Sequence, residues 1–232
     1  MGLITEHDGA AEGYEAVRLP PDPVVTAGWQ AEVFRRRSAR PSRRAVLYLH
    51  CPIDPFVTED LARWYTDRGF HFYLADLRPR LRLDRPARTP RRRRELADCF
   101  AGIDTACAHL RDADGIDALI VSAHGTGALA AALWCDARSA SCPADALVLS
   151  APTFGRRLRR GLDIQCPVLV LSAAGQAPAP RGVWPGPHVT WLRLSEGLAG
   201  DPAAGQDRSR FFDEVGRWLG AYMYGQVRDQ LL

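Results

Sequence analysis

Three observations predict an α/β fold on a doubly wound, mostly parallel sheet. Short, near-continuous Val/Leu/Ile runs recur from residue 44 onward, and longer stretches with helical spacing separate them. The runs are also apolar on both faces, as strands are when helices cover the sheet on each side. In chain order, YEAVRLP (14–20) and WQAEVFRRR (29–37) predict an antiparallel edge, and RAVLYLH (44–50) predicts the first buried strand. TEDLARWYTDRG (58–69) has helical spacing and leads into the strand FHFYLAD (70–76). A basic loop, LRPRLRLDRPARTPRRRR (77–94), follows; it lacks interleaved aromatics and reads as a solvated loop, with phosphate or acidic-substrate binding as its other use. RRRELADCFAGIDTACAHLR (92–111) predicts one helix and DALIVSA (117–123) a strand. TGALAAALWCDAR (126–138) predicts a helix, DALVLSA (145–151) and CPVLVLS (166–172) two strands. After the Pro/Gly-rich loop AAGQAPAPRGVWPGP (173–187) come the strand HVTWLRL (188–194) and a terminal helix over 210–229.

The length, 232 residues at 47% hydrophobic content, fits one domain over 1–232. A net charge of +3 is too small to imply a nucleic-acid partner. Every basic residue is Arg, which reads as coding bias. The opening MGLITEHDGAAEG is polar and acidic, so no signal or membrane segment is expected, and the expected location is cytoplasmic. The six Cys form no C-x-x-C pair and no zinc-type spacing, so they read as reduced thiols, several of them filling core. No metal and no cofactor is implied: AHGTG does not complete G-x-G-x-x-G.

Ligands of an open α/β sheet collect at the carboxyl ends of its strands, which directs attention to the segments after residues 50, 123, 172 and 194. There, LYLHCPIDPFVTEDLARWYTDRGFHFYLADLR (47–78) and LIVSAHGTGALAAALW (119–134) resemble α/β-hydrolase-fold serine hydrolases, the bacterial lysophospholipase-like ones above all. Those carry an H-G-x-x-D loop, a strand ending in D-L-R, and a G-H-S-x-G elbow. The likeness runs over residues 14–151 and again over 166–222.

Set on that pattern, Ala123-His124-Gly125-Thr126-Gly127 fills the elbow, with Gly125 where the nucleophile belongs. Making Ser122 the nucleophile instead would bury it inside the strand. Gly200 stands where the family has its His, followed by Asp201, and no Asp or Glu lies between Asp163 and Glu196 for the third member. Pro52 follows His50-Cys51 where an oxyanion-hole N–H is expected, and proline has none. Losing one such donor costs about a hundred- to a thousand-fold in rate, and losing a triad Ser or His about a million-fold. Hydrolysis is therefore not expected. Only PTFGRRLRRGLDIQ (152–165) stands where relatives insert a helical lid, so the lid is expected to be absent and the pocket open.

The resemblance implies a ligand pocket lined by His50, Cys51, Pro52, Ile53, Phe56, His124, Gly125, Thr126 and Trp184, with Trp134 either a further lining residue or core packing. His50 and His124 read as scaffold or as acid–base groups, Cys51 as a small filler or a nucleophile, and Asp54 as structural. In its empty triad, lidless layout and Arg-only basic residues the chain resembles a branch of the superfamily, the bottromycin-type epimerases. These act on an Asp residue in a thiazoline-bearing macrocyclic peptide of ribosomal origin. That resemblance implies an isomerase in which the substrate's own carboxylate is the base and the protein supplies orientation and desolvation. Two other readings stay open: a non-catalytic pseudo-hydrolase that binds a natural product, and a triad-less cyclase or lyase.

Overall fold

The computed structural model describes residues 13–20, 32–50, 58–77, 96–152, 161–173, 189–194 and 208–229. Eight strands form one sheet: β1 (Glu15–Val17), β2 (Glu32–Arg36), β3 (Arg44–His50), β4 (His71–Asp76), β5 (Ala118–His124), β6 (Ala146–Ser150), β7 (Val168–Ala173) and β8 (Val189–Leu194). The described helices are α1 (Thr58–Asp67), α2 (Phe100–Asp112), α3 (Gly125–Arg138) and α4 (Arg208–Asp229). The strand order is β1-β2-β4-β3-β5-β6-β7-β8. β1 and β2 pair antiparallel at the edge, and the strands from β3 onward pair parallel.

Each central strand is buried along its length because helices cover both faces. On one face Leu47, Leu49, Val121, Leu147 and Val170 pack with Ile103 and Leu110 of α2 and Ala128, Ala131 and Trp134 of α3. On the other, Tyr48, Phe72, Ile120, Val148 and Leu171 pack with Leu61, Trp64 and Tyr65 of α1 and Phe211, Val215 and Trp218 of α4. The two helices of that second layer meet through Trp64 and Phe212, stacked with ring centroids 5.3 Å apart. Burying side chains of this size stabilises the fold by roughly 1.5–3 kcal/mol each.

The antiparallel edge is fastened by charge. Arg35 of β2 bonds Glu15 of β1 at 2.6 Å and Asp114 at 2.8 Å, and the Tyr73 hydroxyl donates to the same Asp114 at 2.7 Å. The turn leading into β3 is held by His71. Its Nδ1 accepts from the Ser38 N–H at 3.1 Å and its Nε2–H donates to the Ser42 carbonyl at 3.0 Å, a pattern that needs the neutral ring. Burial holds its pKa below the ordinary His value accordingly.

The helix expected over 92–111 is interrupted. Residues 96–97 are helical, Asp98 and Cys99 form a turn closed by Cys99 N–H to Leu96 C=O at 3.1 Å, and α2 starts at Phe100. An i→i−3 bond there tightens the chain and resets the helix. Of the two sequence readings of Trp134, pocket lining or core, the structure shows core. Trp134 is fully buried under the sheet, its indole N–H on Asp104 at 2.8 Å. Residues 151–167 are all that join β6 to β7; 151–152 and 161–167 form no helix, and 153–160 lie outside the described residues. Among the described residues, no helix is long and apolar enough to cross a membrane.

Candidate functional site

The topology itself selects the site. After β3 the chain passes to the α1 face of the sheet, and after β5 it passes to the α3 face. β3 and β5 are neighbours, so their carboxyl ends flank the crevice where connections diverge, the ligand position of an open α/β sheet. Those ends are His50 and His124.

The register extends this pair into a row. His50 lies opposite Asp76 of β4, Leu49 opposite Ala123, and His124 opposite Ser150 of β6. Strand alternation puts all four polar side chains on one face, that of Tyr48, Leu74 and Val148. Asp76, His50, His124 and Ser150 are each buried. A buried polar row at the ends of four adjacent strands is costly unless each member is hydrogen-bonded. One such bond is plain: His124 Nδ1 lies 2.8 Å from Ser150 Oγ, and the Ser150 hydroxyl donates to the Ala123 carbonyl at 3.3 Å. With the hydroxyl proton directed there, Nδ1 is the protonated nitrogen of His124. Burial pushes the His124 pKa down to about 4, so the ring is neutral at physiological pH. His124 thus ties β5 to β6 as a scaffold group. One step below the row, Ser122 is buried within β5, and burial pushes up the phenol of Tyr65 beside it.

The elbow is present as geometry. β5 ends at His124, with extended backbone, and α3 begins at the next residue, Gly125, with φ +54°. A side chain in that left-handed region is strained by roughly 1–2 kcal/mol. Glycine relieves the strain and leaves no side-chain oxygen or sulfur at the bend. Two residues on, a Cβ on Gly127 would meet the Leu49 carbonyl oxygen at 2.7 Å, so only glycine lets α3 sit this close to β3. Across the rim, Ala151 also holds a positive φ, +46°, immediately after β6. Backbone strain of this kind gathers at functional sites.

Of the residues expected from sequence, His50, His124, Gly125 and Thr126 come together at the carboxyl ends of β3 and β5, Thr126 being buried in the first turn of α3. Cys51, Pro52, Ile53, Asp54, Phe56, Trp184, Gly200 and Asp201 lie outside the described residues, as does the basic loop beyond Leu77. Asp76 and Ser150 were not expected. Each is a single polar residue closing an apolar run, and only the strand register brings them beside the histidines. Among the described residues, no group of three or more His, Cys, Asp or Glu is disposed to hold a metal ion.

No protein-family profile matches the chain, and no curated protein matches it. Solved structures do. Est1E from Butyrivibrio proteoclasticus superposes with a TM-score of 0.60 at 9% identity, covering 90% of this chain and 99% of its own. A zinc-bound cold-adapted esterase from an Arctic intertidal metagenomic library gives 0.61 at 12% identity, covering 89% and 92%. A monoacylglycerol lipase from Paleococcus ferrophilus gives 0.59 at 14%, covering 82% and 99%. With the strand topology and the elbow, these likenesses establish that the chain has the α/β-hydrolase fold.

Proposed function

We propose that this chain is a non-hydrolytic enzyme on the α/β-hydrolase fold that epimerises an Asp residue in a modified macrocyclic peptide. The observation that carries the reading is Gly125. The strand–turn–helix bend is kept with its φ of +54°, yet the residue at the bend has no nucleophile. A site of this shape without an attacking oxygen suits proton transfer better than acyl transfer.

The residues at the rim define what the protein would contribute. Removing an α-proton places negative charge on the adjoining carbonyl oxygen, and the first turn of α3 points backbone N–H groups without intrahelical acceptors to that end. Gly125, at the start of that turn, puts no side chain at the bend. His124 is neutral at pH 7 and engaged with Ser150, so it is a poor base for a carbon acid. The base in this proposal is the substrate's own Asp carboxylate, held against the α-proton. An internal group so placed acts at an effective molarity on the order of 10⁵ M or more. The substrate is a macrocyclic peptide from ribosomal natural-product biosynthesis, and the route uses no cofactor.

The test starts from either diastereomer of an Asp-containing, thiazoline-bearing macrocycle and follows the ratio by chromatography. With protein, both starting materials are expected to converge on one ratio, and a fluorophosphonate serine-hydrolase probe is expected to leave the protein unlabelled. Unchanged diastereomers together with a raised Tm would favour a pseudo-hydrolase binder. Labelling by the probe would overturn the non-hydrolytic reading.

A further inference from the structure

The amino ends of the strands, opposite the rim just described, hold a cluster that no part of the proposed reaction uses. Cys135 from the last turns of α3, Cys142 after the 3-10 turn at Ser139–Ser141, and Cys166 ahead of β7 converge there. The Sγ atoms of Cys135 and Cys142 are 2.9 Å apart, and those of Cys135 and Cys166 are 3.9 Å apart. Cys135 is buried, whereas Cys142 and Cys166 are only half-buried and within reach of a small reagent.

The two close sulfurs are not equivalent. The Cys135 S–H donates to Cys142 Sγ. That bond, with a second from the Ala144 backbone, lowers the Cys142 pKa against the opposing effect of burial; the charges of Arg138 and its ion-pair partner Asp104 act in opposite directions there. Cys135 is pushed the other way, as the donor of the pair. A half-buried thiol of lowered pKa with a second thiol's sulfur 2.9 Å away is the arrangement of an oxidisable pair.

We propose that Cys135 and Cys142 form an oxidation site for a small hydroperoxide, closing to a disulfide while Cys166 stands by as an exchange partner. In the first step Cys142 sulfur attacks the peroxide, takes one oxygen to become a sulfenic acid, and an alcohol or water leaves. In the second, Cys135 sulfur attacks Cys142 sulfur; the oxygen leaves as water, taking up the Cys135 proton. Two thiols lose two electrons in total and the peroxide gains them. The sulfurs need only close from 2.9 Å to about 2.05 Å. Cys166, next to Cys135, can then attack Cys135 sulfur and release Cys142, so the bond is exchangeable. Cys107 is the internal control: it is fully buried, burial pushes its thiol far up, and it should not react.

The sequence makes the test direct. Trypsin places Cys135, Cys142 and Cys166 on separate peptides, 112–138, 139–156 and 161–181. Folded full-length protein would be treated with a small molar excess of hydrogen peroxide, quenched with N-ethylmaleimide and mapped by mass spectrometry with and without dithiothreitol. The expected result is loss of two alkylatable thiols, a reducible link between peptides 112–138 and 139–156, and the same link in the Cys107→Ser variant. Cys142→Ser is expected to slow thiol loss about tenfold, whereas Cys166→Ser retains the first link. The proposal is overturned if all thiols stay alkylatable, if Cys142 advances to sulfinic acid without a link, or if the first link joins another pair.

Discussion

Replacing Gly127 with alanine is expected to lower stability by about 3 kcal/mol, read as a lower urea midpoint at unchanged slope. The new Cβ would lie 2.7 Å from the Leu49 carbonyl oxygen. That oxygen belongs to β3, which is paired on both sides within the sheet, so it has little freedom to retreat. The strain must instead move the start of α3, which carries Gly125 and Thr126. The same substitution is therefore expected to impair the candidate site along with the fold. A loss below about 0.5 kcal/mol would mean that α3 does not rest on β3 as closely as described.

The second large effect is a pH dependence set by His124. Its folded pKa is near 4, below the ordinary value of 6.5, because it is buried. Above pH 6.5 both folded and unfolded chains hold the ring neutral, and its contribution is fully present. As pH falls from 6.5 toward 4 the unfolded chain binds a proton that the folded chain does not. Stability then declines, by about 3 kcal/mol for this group over that window. His71, also held below its ordinary pKa, adds a decline of the same sign. Subtracting a His124→Asn variant isolates the first contribution, since His71 and the carboxylates titrate in both proteins. Urea unfolding of the two across this range should show wild type losing stability faster. Parallel curves would contradict the burial and neutrality of His124.

Much of the architecture was legible because the central parallel strands β3, β5, β6 and β7 are largely Val/Leu/Ile runs, whereas β4 is aromatic-rich and β8 is only partly buried. The elbow was legible from chain order, since AHGTG sits where a buried run becomes a helical one. The break at Asp98–Cys99 was not legible, because a single i→i−3 turn leaves helical periodicity on both sides intact. Trp134 was left between pocket and core because sequence spacing does not say which end of α3 faces the ligand; the structure puts it in the core. Asp76 and Ser150 needed the register of four strands to become part of one row. Cys135, Cys142 and Cys166 were legible as core or reduced thiols but not as a cluster, since two of them lie on segments joined only through the sheet. The loop residues expected to shape the pocket, Cys51 to Phe56 and Trp184, are outside the described residues, so the site is defined by its floor.

That floor has an elbow with glycine at its bend, helix N–H groups beside it and a neutral imidazole behind it. Together they support a site that stabilises charge without attacking. The most direct test of that idea is deuterium wash-in. The protein is incubated in D2O with the Asp-containing, thiazoline-bearing macrocycle, and the α-carbon of Asp is followed by NMR and mass. One deuterium at that carbon, accompanied by the second diastereomer, is the result predicted. A macrocycle that binds, as a shift in Tm would show, yet keeps its α-proton would contradict the proposed chemistry and make the chain a binding protein.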